Sequence, residues 1–419
     1  MGSQRFPALA SRDFRLFLSG QFVSLIGSWM QGTVLPFLAY QMTAQPIYLG
    51  LLGFANSIPS LFLMLPMGVY VERWDKRRTV IILQVVLMLQ AFALAYLALS
   101  GKITITEIIL LSFIAGAASA IEITARQAMI AELAGREALP NAIALNSTIF
   151  NAARVIGPSL TAPFLILLKN QGAGWAFFAN GVSFLFVIIG LFMMQSLAAP
   201  AVERSKNMLL EDFLEGQKFI RKTSMVSLII ALVSIFSFFG FPFTQQVPVF
   251  ARDVLHAVGD TEAAVATRNS LLVTAQGAGA LLAAVALAAF SSVRRKGLLL
   301  TAGQVVYAGG LLGMAFSRNE AVSMVLIGLV GWGTIMQLAM ANTLIQLAVP
   351  DELRGRVIST YFWAQMGVAP FGSLFIGWLA QAFGAPAAAG VGGAICLGSA
   401  LLIHTARPAV RTASGEEFA

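Results

Sequence analysis

The feature that most constrains this chain is a succession of apolar stretches, each about 20 residues long and set apart by short polar loops. Wound into helix at about 1.5 Å per residue, such a stretch matches a hydrocarbon core roughly 30 Å thick. The stretches therefore read as membrane-spanning helices rather than barrel strands. The window rule predicts them at residues 14–41, 47–70, 79–99, 104–128, 141–168, 174–195, 225–250, 268–291, 298–316, 321–347, 356–382 and 386–404, about twelve in all. Hydrophobic residues fill 58% of the 419 positions, more than a soluble core of this size buries, so the expected fold is an all-α polytopic membrane protein. The least regular region is 225–268. There Pro242 and Pro248 interrupt the helix, and Arg252, Asp253, Asp260 and Glu262 read as a polar loop.

Charge gathers in alternate loops. Arg5, Arg12 and Arg15, then "ERWDKRR" at 72–78, Arg136, the cluster from Arg204 to Lys222, Arg294 to Lys296, Arg354 and Arg356, and Arg407 and Arg411 fall on one side. The other side holds Lys102, Lys169, Arg252, Arg268 and Arg318. By the positive-inside rule the first side is cytoplasmic, as are both termini. That asymmetry accounts for the net charge of +8 without a nucleic-acid partner. The first apolar run is too long for a cleavable signal peptide and lacks a small-residue cleavage site, so it is expected to stay in the bilayer. The lone Cys396 allows no disulfide, His256 and His404 read as a loop residue and a helix-end residue, and no metal site or cofactor is expected.

The longest loop, 196–224, divides the chain into an N-terminal bundle at 1–195 and a C-terminal bundle at 225–419, six helices each. Within it Met208–Arg221 has helical apolar spacing and reads as a surface helix. The halves agree at an offset of 216, which carries Arg78 onto Arg294 and "ARQAMIAELAGREALPNAI" from Ala125 onto "ANTLIQLAVPDELRGRVIS" from Ala341. Parallel duplication of six-helix units, with a ligand site near the midplane, is a recurrent transporter plan.

Several stretches carry a resemblance: "FRLFLSGQFVSLIGSWM" from Phe14, "ERWDKRR" after Gly68, "ARQAMIAEL", "ARVIGPSL" and "VPDELRGRV". Over nearly its whole length the chain resembles the major facilitator superfamily, and within it the bacterial drug and siderophore exporter branch. The resemblance implies a twelve-helix fold and a gating role for Gly68, Glu72, Arg73, Asp75, Arg77 and Arg78, with Glu72 meeting the start of segment eleven near Arg354 and Arg356. A carboxylate suits that helix end electrostatically. Glu72 stands where Asp is usual and Asp75 where Gly is common, so Asp75 could share the pairing. Gly157 and Pro158 resemble the bend motif of exporters, with Ala153, Thr161 and Ala162 in place of glycines of the full pattern.

Glu122, Arg126 and Arg154 lie in apolar stretches, where a central charge costs roughly 2.5–3.5 kcal/mol on insertion scales. Glu122 and Arg126 are four residues apart and share a helix face, so they can pair and can serve as a proton-coupling couple. Arg154 with Asn151 and Ser147 forms a polar stripe. One acid against two bases leaves a spare guanidinium, which suits a carboxylate, catecholate or phosphate; equally, Arg154 could lock segments four and five together. Trp29 and Gln31, with Gln21, Ser24 and Ser28, add a polar face to segment one. The C-terminal half has no comparable buried ion but offers Gln337, Asn342, Gln346, Gln365, Trp332 and Trp363 for hydrogen bonds and stacking. No phosphate-binding loop supports ATP hydrolysis and no catalytic pair an enzyme; with the direction of transport implied by the resemblance, the chain reads as a monomeric, proton-coupled exporter of an amphipathic small molecule. A lipid or lysophospholipid translocase and an uncoupled facilitator are the rival readings.

Overall fold

A computed structural model describes residues 6–168, 171–195, 209–289 and 295–412; at 64–66, 68–69, 71–73, 136, 209–214, 288–289, 351–352, 409 and 412 it describes the backbone alone. After a short 3-10 turn, Pro7–Ala10, come α1 (Arg12–Thr43), α2 (Pro46–Arg73), α3 (Lys76–Leu99), α4 (Ile105–Gly135), α5 (Glu137–Leu167) and α6 (Gly172–Phe192). The surface helix α7 (Leu209–Lys222) leads into α8 (Ser224–Val254), α9 (Glu262–Ala289), α10 (Lys296–Phe316), α11 (Glu320–Ala348), α12 (Asp351–Phe383), α13 (Ala385–Ala406) and the short α14 (Pro408–Thr412). Among the described residues, twelve of these helices are long and apolar enough to cross a membrane, each overlapping one predicted stretch.

In lipid every backbone group must be satisfied internally, so helices start and stop at loops with explicit caps. Thr104 and Glu107 form a capping box at the start of α4, Asp75 accepts from the Arg78 amide at 3.0 Å to open α3, and Asn319 does the same for α11 through Val322 at 3.1 Å. Gly135 divides α4 from α5. Its φ of 69° with ψ of 167° is a backbone conformation that side chains exclude, so the two spans remain nearly continuous in hydrogen bonding yet turn at one residue.

The irregular stretch is one helix with two register shifts, not a helix followed by a long polar loop. Pro242 and Pro248 have no N–H to give, and α8 absorbs this with π turns at Phe236–Gly240 and Phe250–Val254 around a 3-10 stretch, Phe241–Gln246. The carbonyl of Phe238, four residues before Pro242, loses its usual helical donor. Gly372 on α12 lets that backbone approach, since a Cβ there would collide with the Phe238 carbonyl. Arg252 and Asp253, predicted as loop, lie in the last turn of α8, and Glu262 opens α9. Arg268, also assigned to a loop, is a correction of greater weight: it is buried in the second turn of α9, so the C-terminal sequence half does contain a buried ion.

Two compact units emerge. Unit 1 comprises Met1–Thr43, Ile58–Glu203 and Thr261–Ser270; unit 2 comprises Ala44–Ser57, Arg204–Asp260 and Leu271–Ala419. The division near 203 falls in the long loop, but the first half of α2 belongs with unit 2. Gly50 explains it: a Cβ there would meet the Ser373 carbonyl at 2.5 Å and the Gly377 Cα at 3.0 Å, a backbone contact with α12 that small residues permit. The core of unit 1 gathers Phe14, Phe17, Val80, Met129, Ile130 and Leu191. That of unit 2 gathers Val226, Ile229, Leu300, Leu344, Ile345 and Tyr361.

Candidate substrate and coupling site

The charges predicted within the apolar stretches of unit 1 fall into two groups. On α4, Glu122 and Arg126 are 5% and 7% exposed, and Arg126 Nε donates to both carboxylate oxygens, at 3.0 and 3.3 Å. Gln84 of α3 adds a third bond, its Nε2 donating to Glu122 Oε1 at 3.1 Å. The carboxylate is therefore held by one cation and one amide, while the Gln84 carbonyl oxygen is buried without a partner. Charge neutrality and two donors make the pair tolerable inside the bundle; removing either ion leaves the other stranded.

Arg154, on α5, is placed differently. Its guanidinium lies over the Trp29 ring, 5.3 Å from the centroid, and among the described residues it forms no ion pair or hydrogen bond. Phe150, one turn earlier, meets Trp29 edge to face at 5.6 Å. Gly157 brings α1 this close: a Cβ there would lie 2.6 Å from the Trp29 Cβ and 2.7 Å from the Ile26 carbonyl. Pro158 follows within the same helix. Residues 154 and 157, three apart, thus face the same segment of α1. Asn151 is buried on α5; its amide nitrogen donates to the Ser147 carbonyl at 2.9 Å, while its Oδ1 has no partner.

Gln31 lies two residues beyond Trp29, in an amide chain that sequence reasoning missed. Gln31 donates to Gln90 of α3 at 3.2 Å and accepts from Asn180 of α6 at 2.8 Å, whose Oδ1 in turn accepts from Ser183 at 3.2 Å. Its functional groups tie three helices together. Ser28 donates to the Ser24 carbonyl at 2.9 Å, and Gln21 and Ser24 are buried. Gln84, Gln90 and Asn180 were findable by the rule that picked out Glu122, since each is a polar residue within an apolar stretch.

The residues expected to line a C-terminal cavity are placed as follows. Gln337 is 2% exposed within unit 2, Asn342 accepts from Gln346 one turn on at 3.0 Å, Gln365 is half-buried, and Trp363 is exposed. Trp332 packs on the core of unit 2.

The gating residues have identifiable partners where they are described. The side chains of Glu72 and Arg73 lie outside what is described, and Gly68 is described by its helical backbone alone. Asp75 caps α3 and pairs with the exposed Arg78 at 3.4 Å; Arg77 donates to the Phe192 carbonyl at the end of α6 at 3.0 Å; Lys76 meets Glu132 of α4 at 2.6 Å. Arg356 pairs with Glu215 of α7, and Gln217 of α7 donates to Thr360 at 3.2 Å, so the surface helix is docked on the start of α12. Arg354 is exposed.

One further cavity, of about 550 Å³, lies in unit 1 at the ends of α1, α5 and α9. Phe37, Leu38, Met42, Leu165 and Ile166 line it, with Gln41 donating to Glu262 at 3.1 Å. No group of three metal-ligating side chains occurs among the described residues.

Twelve spanning helices among the described residues, in two compact units with buried ions between helices, fit the class of secondary transporters, and the matching family and relatives are transporters. More narrowly, residues 3–417 match the family described as transmembrane secretion effector, and the chain belongs to this branch of the major facilitator transporters. Among curated relatives, the staphyloferrin A transporter of Staphylococcus aureus (strain NCTC 8325 / PS 47) is 24% identical over 375 residues, 88% of this chain and 90% of that one. The multidrug efflux pump Tap of Mycolicibacterium fortuitum is 24% identical over 380 residues, 88% and 89% of the two chains, and the enterobactin exporter EntS of Escherichia coli O139:H28 is 23% identical over 347 residues, 82% and 79%. The fold matches the nucleoside transporter NupG with a TM-score of 0.71 at 11% identity, covering 95% of this chain and 99% of that one. The D-xylose-proton symporter matches with 0.69 at 16%, covering 94% and 97%.

Proposed function

We propose that this chain exports an anionic amphipathic small molecule across the bacterial inner membrane by alternating access, in antiport with protons. The halves at 1–195 and 225–419 are its moving parts, it works as a monomer, and both termini are cytoplasmic. The observation that carries the reading is Arg154: a guanidinium on an aromatic ring, lacking a protein counter-ion among the described residues, suits a carboxylate, catecholate or phosphate. Trp29 and Phe150 add flat apolar surface for the rest of such a solute. The relatives named as a staphyloferrin A transporter and an enterobactin exporter support a siderophore-like class; the relative named as a multidrug efflux pump supports tolerance of shape.

Glu122 is assigned the proton. Its partners, Arg126 and Gln84, sit on two helices, so a relative shift of α3 and α4 would make or break the Gln84 bond to the carboxylate. The experiment is proton flux in proteoliposomes under an imposed pH gradient, adding in turn a catecholate, a lipophilic cation and a lysophospholipid. Catecholate-evoked proton movement that Glu122→Gln abolishes while binding persists is the expected result. Substrate crossing without proton movement would overturn antiport.

A second reading, a lipid translocase, is favoured by the apolar cavity at the ends of α1, α5 and α9. Transport of the lysophospholipid alone in the same assay selects it.

A further inference from the structure

The cavity at the ends of α1, α5 and α9 is lined wholly from unit 1, and its lining shares no residue with the Arg154, Trp29 and Phe150 group. At about 550 Å³ it has the size of a small-molecule pocket, which runs roughly 300–1,000 Å³. Its polarity is ordered along the helix axes. Gln41 stands in the last turn of α1, and Thr261 and Glu262 stand at the start of α9. One turn inward on the same faces come apolar side chains, Phe37 four residues before Gln41 and Ala266 four after Glu262. These two are buried, at 4% and 3% exposed, whereas Met42 and Ile166 at the ends of α1 and α5 are 41% and 40% exposed. A buried apolar floor, an apolar mouth and a polar rim at the helix ends follow one another as the chain and headgroup of a lipid do.

Charge narrows the occupant. Among the described lining residues Glu262 is the only ionisable one. The buried cation of α9, Arg268, follows Ala266 by two positions, about 200° round the helix, and stands on another face. Thr261 is taken up with capping α9, its hydroxyl accepting from the Ala264 amide at 3.2 Å. Gln41 Nε2 donates to Glu262 Oε2 at 3.1 Å. A carboxylate accepts about four hydrogen bonds and an amide oxygen about two, so after that bond the pair still offers acceptors on both residues. Acceptors around a negative charge suit a cation with several N–H donors, a primary ammonium; a catecholate or phosphate, the class assigned to Arg154, is repelled.

Within a bilayer an acyl chain gains no hydrophobic energy by entering an apolar cavity, because the lipid tails it leaves are equally apolar. Dispersion contact with the walls holds the chain, and the polar rim decides which headgroup comes with it.

We propose that this cavity is a site for a phospholipid with a primary ammonium headgroup, phosphatidylethanolamine. One acyl chain lies against Phe37, Leu38 and Leu165, and the ammonium donates to the Glu262 carboxylate and the Gln41 carbonyl. A choline headgroup carries the same charge without an N–H to donate. A glycerol headgroup leaves the lipid anionic. The inference concerns a resident lipid and rests on neither transport reading.

The test uses full-length protein stripped of lipid in detergent and titrated with dioleoyl phosphatidylethanolamine, phosphatidylcholine or phosphatidylglycerol, with binding followed by native mass spectrometry. The three lipids share their acyl chains and differ in headgroup. The ethanolamine lipid is expected to bind about five-fold more tightly than the other two, the scale of an exposed ion pair, and Glu262→Gln to abolish that preference. The same lipid with a diazirine on one acyl chain should label the ends of α1 and α5, and Ala266→Leu, which fills the floor, should remove the labelling. Equal affinity for the three lipids, a preference that survives Glu262→Gln, or labelling confined to other helices overturns the proposal. Saturable binding of dodecylamine at Glu262 with no preference among the lipids overturns it too, assigning the rim to a free amine. Binding is read without transport, so failure of the antiport or translocase reading leaves the result intact.

Discussion

On the proposed function, the Arg154 guanidinium over the Trp29 ring is the group that receives the anionic part of the solute. Arg154→Gln is expected to weaken binding of a catecholate or carboxylate solute by at least ten-fold, since a hydrogen bond to a charged group is worth about 1.5–3 kcal/mol; equilibrium binding in detergent measures it. Binding of a lipophilic cation by the same variant should be unchanged or tighter. Glu122 and Arg126 behave as one object: Arg126→Leu strands a buried carboxylate and should lower stability by about 3–5 kcal/mol, and Glu122→Gln in the same chain should recover most of it, read as thermal unfolding. All three residues were legible in the sequence, because a charge inside an apolar stretch is costly enough to need a reason. His404 was not, since at the end of a stretch it looks like any helix terminus and only the positions of Thr301 and Gln304 reveal its burial. Gln31 was visible as a polar residue but not as one already engaged by other helices: its partners, Gln90 and Asn180, are 59 and 149 residues away in the chain.

For whole elements, the twelve spans were readable from length and composition because the bilayer fixes both. What was not readable was how α8 copes with its prolines. Hydropathy sees an apolar segment ending early at Arg252, whereas the second π turn carries Arg252 and Asp253 inside the helix. The joints between elements carry sharp expectations. Gly157→Leu drives side-chain atoms into Trp29 and Ile26 and should cost about 1–3 kcal/mol, measured as a lower unfolding temperature, with anionic-solute affinity falling alongside because Trp29 is displaced. Gly135→Ala meets no neighbour, only its own backbone, and should cost about 1–3 kcal/mol through strain alone while leaving affinity intact. The docking of α7 is lighter. Glu215 and Arg356 form an ion pair that is 59% and 25% exposed, so Glu215→Ala should leave global stability nearly unchanged yet speed limited proteolysis of the long loop.

At the scale of the molecule, the chain passes from one unit to the other at 203/204, within the long loop, while the first half of α2 belongs with unit 2 and the first turns of α9 with unit 1. Sequence periodicity has no access to that division, because Gly50 and Gly377 look like any glycines in apolar stretches until their backbones touch. The contact also sets a timetable. Gly50 leaves the ribosome 327 residues before Gly377, and at about 5–20 residues per second that interval is roughly 15–65 s. For all of it, the small-residue face of α2 must wait among lipids for a helix not yet made. A chain stalled before α12 is released would present that bare glycine face to whatever membrane chaperone or protease patrols for incomplete bundles.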